Sequence, residues 1–185
     1  MTLLSRRAFA LGTLAMGGLA GCGNGIGGAG AARIDARVDS TMAFMYQKYP
    51  GTRDLASKSS GILVMPLVTE AGLGIGGGYG RGALRIGNST VDYYSQTKLS
   101  GGLQIGAQQY AHVLFFMTPE ALTDFRRSDG WAAGANVEYA LNNEGEMLRA
   151  DTTTSLAPVL AVVFAQAGLR VGATLDGTKY TRIIP

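Results

Sequence analysis

Between Gly72 and Gly82 every even-numbered residue is glycine: Gly72, Gly74, Gly76, Gly78, Gly80 and Gly82. The odd positions hold Leu73, Ile75, Gly77, Tyr79 and Arg81. Successive residues of a strand point to opposite faces, so a strand here carries side chains on one face and almost none on the other. Each interior glycine costs ~0.5–1 kcal/mol relative to alanine, which is wasted unless something packs against the bare backbone. Two readings follow. Either a helix or crossing strands approach closely there, or the bare face lines a slot for a slender ligand such as an acyl chain or lipid glycerol. Gly72–Gly77 also fits G-x-G-x-x-G, but the stretch runs on into strand-like Tyr79–Ile86 with no helix to hold a pyrophosphate, so a nucleotide site is not expected.

The remaining pattern gives the fold class. Ile34, Val38, Met42, Met45 and Tyr49 recur at helical steps with Arg33, Asp35, Arg37 and Asp39 between them, an amphipathic helix stopped by Pro50-Gly51. A short helix is expected over Arg53–Lys58 with Thr52 as its cap. Ile62–Met65 is a short apolar run ended by Pro66, suiting a buried strand near an edge. His112–Met117 and Val159–Ala165 are similar runs, expected to be covered on both faces. Thr118-Pro119-Glu120 starts a helix that ends near Arg127, with Leu122 and Phe125 facing inward. Trp131–Leu141, Leu169–Leu175 and Lys179–Ile184 read as strands separated by turns at Asn142-Asn143, Gln166-Ala167-Gly168 and Asp176-Gly177. The expected fold is α+β: a mainly antiparallel, strongly coiled or barrel-like glycine-rich sheet with an N-terminal amphipathic helix and one or two further short helices.

The first residues have another purpose. Ser5-Arg6-Arg7-Ala8-Phe9, an apolar run and Leu19-Ala20-Gly21-Cys22 have the order of an export signal, and the apolar run is shorter than the ~20 residues that span a bilayer. Arg6 and Arg7 resemble the twin-arginine export address, and Leu19–Cys22 is similar to the bacterial lipobox. Residues 1–21 are therefore expected to be a signal peptide. Cys22, the only cysteine of the 185 residues, is then an acylated first residue, and residues 22–32 form a lipidated Gly/Ala tether before a domain over 33–185. Several acyl chains on one cysteine give stable anchoring where one does not. Gly23 stands where, in the bacterial lipoproteins that this segment resembles, aspartate signals inner-membrane retention, so the resemblance implies the periplasmic face of the outer membrane. Loss of Arg6 and Arg7 lowers the formal net charge from +3 to +1, and no basic run exceeds Arg126-Arg127, so no nucleic-acid partner is expected.

Gly61–Pro66, the Ala71–Gly82 glycine stretch, Gly102–Ala107 and Asp151-Thr152-Thr153-Thr154 together resemble the SYLF domain in its bacterial lipoprotein branch, from about Ile34 to the carboxyl terminus. The resemblance implies phospholipid binding; the export signal and lipobox add the export and lipoprotein-processing machinery as expected partners. It departs at Glu70, where the family commonly has lysine. The headgroup contacts expected are Arg81, Arg85, Lys98, Arg126 and Arg127, since Arg and Lys hold phosphate. Tyr93, Tyr94, Tyr110 and Trp131 suit a headgroup boundary or, more simply, core positions. Neither a G-x-S-x-G elbow nor an H-E-x-x-H pair occurs, and the single histidine, His112, sits beside a core run. No catalytic residue, metal or cofactor is expected. The alternative to a lipid-binding lipoprotein is a structural module of the cell envelope that holds a protein partner.

Overall fold

The computed structural model describes residues 28–73, 75–101, 106–134, 137–140, 157–164 and 175–185. Two helices come first, α1 (Ala29–Lys48) and α2 (Thr52–Lys58), followed by β1 (Gly61–Leu73), β2 (Ile75–Ile86), β3 (Ser89–Gly101) and β4 (Gly106–Phe116). A third helix, α3 (Pro119–Arg127), precedes β5 (Trp131–Ala132), β6 (Val137–Tyr139), β7 (Val159–Phe164) and β8 (Thr178–Ile183). The strands form one eight-stranded sheet in the order β5-β8-β3-β2-β1-β4-β7-β6, antiparallel except for the β6–β7 pair. The α+β class, the curled antiparallel sheet and the leading helix are as expected.

Helix α1 begins at Ala29, inside the stretch read as tether, and buries Ile34, Val38 and Met45 on one face of the sheet. It meets Ile62 and Val64 of β1, Ala83 of β2, and Val113 and Phe115 of β4. The opposite, concave face collects Leu63, Leu84, Leu114 and Phe116 under Phe125 of α3, with the Trp131 and Tyr180 rings meeting Phe125 edge-on. Thr118 caps α3 by accepting from the Ala121 N–H at 3.2 Å. The short helix α2 is capped differently from expectation. Gly51 is the capping residue, and the Thr52 hydroxyl donates back to the Tyr49 carbonyl at 2.7 Å.

Several boundaries differ from the sequence expectation. The glycine stretch is not one strand but two antiparallel ones: Gly72 belongs to β1, which Leu73 closes, Gly76–Gly82 belong to β2, and Leu73 pairs with Ile75. Gly74 itself lies outside the described residues. Pro66 neither ends β1 nor marks an edge, because β1 is central and the ladder shifts register between Val64 and Leu67. That bulge absorbs the missing N–H. Trp131–Leu141 holds two short strands rather than one. Asp176-Gly177 does form a turn, with Gly177 at φ 72° and Thr178 N–H bonded to Leu175 O at 3.0 Å. The expected turns at 142–143 and 166–168, the strand over 169–174, the Asp151–Thr154 cluster and residues 1–27 lie outside the described residues.

Gly78, Gly80 and Gly82 point to the concave face and are buried. A Cβ at Gly80 would stand 2.8 Å from the Leu67 carbonyl oxygen, and one at Gly82 would run into the Val64 carbonyl with Met65 Sδ 2.5 Å away. The bare column is therefore a crease occupied by the neighbouring strand, the close-packing alternative of the two. Backbone cannot yield as a flexible side chain can, so a Gly82→Ala chain is expected to lose ~2–3 kcal/mol, the upper range of overpacking. Urea unfolding measures it; a loss within ~0.5 kcal/mol contradicts the crease.

Candidate functional site

Two polar constellations stand out, one on each face of the sheet. On the concave face, ladder register aligns Thr178, Lys98, Gly78 and Glu70 in one row and Tyr180, Gln96, Gly80 and Val68 in the next. Because Gly78 has no side chain, residues two strands apart close over it: Lys98 Nζ lies 3.2 Å from Glu70 Oε1. Tyr110 donates its hydroxyl hydrogen to the same Oε1 at 2.7 Å, and Gln96 Nε2 donates to the Tyr110 oxygen at 3.5 Å. A row further on, Tyr180 and His112, from β8 and β4, meet at 2.8 Å between hydroxyl and Nε2. Only a tightly curled sheet brings strands separated by β3, β2 and β1 into such contact. Burial lowers the His112 pKa to about 3, and Lys98 adds to the fall; burial also holds the Tyr180 phenol well above its ordinary value. The pair is thus neutral at physiological pH.

The other face carries a cleft of about 300 Å³ between α1 and the sheet, lined by Gly30, Arg33, Arg37, Thr69, Tyr79 and Arg81 among others. Helical geometry builds it. At 100° per residue, Ile34 and Val38 face the sheet, Arg33 and Arg37 project from one flank and Asp35 and Asp39 from the other. The aspartate flank is tied down. Asp35 accepts from Thr90 Oγ1 at 2.8 Å and from the Tyr93 hydroxyl at 2.6 Å, while Asp39 pairs with Arg85 at 2.7 Å. Burial, then that bond to Asp35, pushes the Tyr93 pKa up to about 12. Nothing comparable holds the arginine flank: among the described residues Arg33, Arg37 and Arg81 form no ion pair with a carboxylate. Three arginines that line one cleft with Tyr79 and Thr69 are donors of the kind that an anion of phosphate size needs.

Of the five cations expected at a headgroup, Arg81 lines this cleft. Arg85 is committed to Asp39, and Lys98 is drawn inside to Glu70. Arg126 pairs with Asp92 at 3.0 Å, which Arg182 approaches from the other side at 3.5 Å. Arg127 is exposed at the end of α3, away from the cleft. Tyr93, Tyr94 and Tyr110 are buried and Trp131 is half-buried, which makes them core residues. Arg33 and Arg37 were missed as contacts, although their four-residue spacing on an amphipathic helix is visible in the sequence. Cys22, Arg6 and Arg7 lie outside the described residues. Among the described residues no group of three His, Cys, Asp or Glu side chains could hold a metal ion. No helix among them is long and apolar enough to cross a membrane.

The family model described as "Ysc84: Las17-binding protein actin regulator" matches residues 97–182. That span runs from the end of β3 into β8 and so contains most of the concave cluster, while Arg33, Arg37 and Arg81 precede it. No curated protein matches the chain.

Proposed function

With the chain taken as a SYLF-domain family member, as its match over residues 97–182 indicates, we propose that it is a bacterial envelope lipoprotein whose domain binds anionic phospholipid. Its family comprises lipid-binding or actin-related modules. The observation that carries the lipid reading is the cleft with Arg33, Arg37 and Arg81, three cations at one opening with no carboxylate paired to them among the described residues. In this reading the twin-arginine signal directs export, Cys22 is acylated after cleavage, and the tethered domain stands at the periplasmic face of the outer membrane. Actin, named in the family's description, is not met in that compartment. The domain binds lipid without transforming it.

The mature chain carrying Cys22→Ser has no acyl group, so any vesicle binding belongs to the domain. It is expected to sediment with phosphatidylglycerol-containing vesicles, and a chain with Arg33→Gln, Arg37→Gln and Arg81→Gln is expected to bind at least tenfold more weakly. These are exposed positions away from the core, where substitution changes stability by less than ~0.5 kcal/mol. Equal sedimentation of the two chains would remove the cleft from lipid binding. Cross-linking in cells that yields protein adducts and no retained lipid would favour the envelope scaffold instead.

A further inference from the structure

We propose that the end of the sheet beyond α1 is a membrane-docking tip, in which Ile75 and Leu99 enter the acyl boundary of a phospholipid bilayer while the arginine cleft stays among the headgroups. The proposal rests on the phospholipid reading and adds an orientation and a second set of contacts. Ile75 and Leu99 are 82% and 84% exposed, and Tyr79 is 52% exposed. Leu99 pairs with Gly77, which has no side chain, so Ile75 two residues along β2 is its diagonal neighbour on the same face. On β2 the residues of that face run Ile75, Gly77, Tyr79, Arg81: aliphatic, bare, aromatic, cationic.

That order matches the layers of a bilayer surface. At ~3.3 Å per strand residue, Tyr79 stands ~13 Å and Arg81 ~20 Å from Ile75. An oblique approach then places the aliphatic pair at the acyl boundary, Tyr79 at headgroup level and Arg81 with Arg33 and Arg37 against phosphate. On the cleft side charge agrees: Thr97 on the same face pairs with Lys179, whose side chain is exposed, and Asp35 and Asp39 are bonded to β3 and Arg85. The exposed Asp176 stands in the turn whose Gly177 lies against the Leu99 carbonyl, and it stays on the aqueous side of the tip. Backbone geometry agrees as well. At the tip β2 is paired to β1 and β3 on both sides, so the backbone that carries Ile75 offers lipid no open edge. The anchor reaches the same place: Cys22 precedes Ala29 by seven residues, which span at most ~25 Å when extended, and Gly30 lines the cleft.

The test uses the fact that Cys22 is the only cysteine. In the mature Cys22→Ser chain, one new cysteine at position 75, 99 or 88 carries a polarity-sensitive fluorophore, and Asn88 is chosen because it is exposed in the turn at the far end of β2. The probe surface is phosphatidylethanolamine–phosphatidylglycerol vesicles with brominated acyl chains. Labels at 75 and 99 are expected to shift to the blue and be quenched, and the label at 88 to do neither. A second variant, Ile75→Ser with Leu99→Ser, is expected to bind vesicles roughly a hundredfold more weakly, about tenfold for each aliphatic side chain withdrawn from water. Its urea midpoint should not move, because both residues are exposed in the folded chain. Labels at 75 and 99 that stay aqueous on a chain that sediments would overturn the docking tip and leave the phospholipid reading intact. Quenching at 88 as strong as at 75 would overturn it too, and a chain that sediments with no vesicle would end both.

Discussion

A Lys98→Met chain is expected to lose ~3–5 kcal/mol of stability at neutral pH, measured by urea unfolding, the usual penalty for withdrawing one member of a buried ion pair. Glu70 is 5% exposed, and its Oε1 receives both the Lys98 ammonium and the Tyr110 hydroxyl. Methionine matches the length of the lysine stem and fills its space, so the loss reports charge rather than a cavity. The Glu70 carboxylate would then remain in the curled interior with the Tyr110 hydroxyl as its donor. Adding Glu70→Gln removes the charge while keeping an acceptor for Tyr110, and the double variant is expected to regain most of the loss. Should the double variant be as unstable as Lys98→Met, the destabilisation would lie in packing and the ion pair would not be its cause.

The second large effect is a pH dependence. His112 is fully buried against Tyr180, and burial with the Lys98 charge holds its pKa at about 3, against 6.5 for an ordinary histidine. Below pH ~6.5 the unfolded chain takes up a proton at this position that the folded chain refuses until pH ~3. The unfolded state therefore binds more protons across that window, and stability falls as pH falls, by up to ~1.4 kcal/mol per unit. The contribution is fully present above pH ~6.5. Carboxylates add their own acid sensitivity, so the comparison is with His112→Leu, whose stability should decline less steeply between pH 6.5 and 4. Parallel slopes for the two chains would mean that His112 takes up its proton equally well in the fold.

The relation between sequence and structure is uneven for a physical reason. Local periodicity sufficed for α1, for the Thr118 cap of α3 and for the buried strands β4 and β7, since each signal lies within one element. The glycine alternation showed that a bare face existed but hid the division into two antiparallel strands, because the alternation runs on unchanged in sequence from β1 into β2. Pro66 suggested an edge, whereas a bulge accommodates it in a central strand. Lys98 and Arg81 look equally eligible as headgroup contacts along the chain. Ladder register separates them: Lys98 shares the concave row with Gly78 and Glu70, and Arg81 faces outward beside α1. The pairing of Tyr180 with His112 joins residues 68 positions apart, a distance over which no periodic pattern carries information. The arginine cleft is intermediate. Two of its three arginines, Arg33 and Arg37, follow from helical spacing, while Arg81 joins only through the packing of α1 across the sheet.

The central claim is that Arg33, Arg37 and Arg81 hold one anionic phospholipid headgroup. Native mass spectrometry of the mature Cys22→Ser chain, purified from a membrane-containing extract, reads this directly as mass and stoichiometry. The account predicts one anionic phospholipid per chain, absent when the three arginines are replaced by glutamine. A chain that flies bare, or one that keeps its lipid after the arginines are gone, would contradict it.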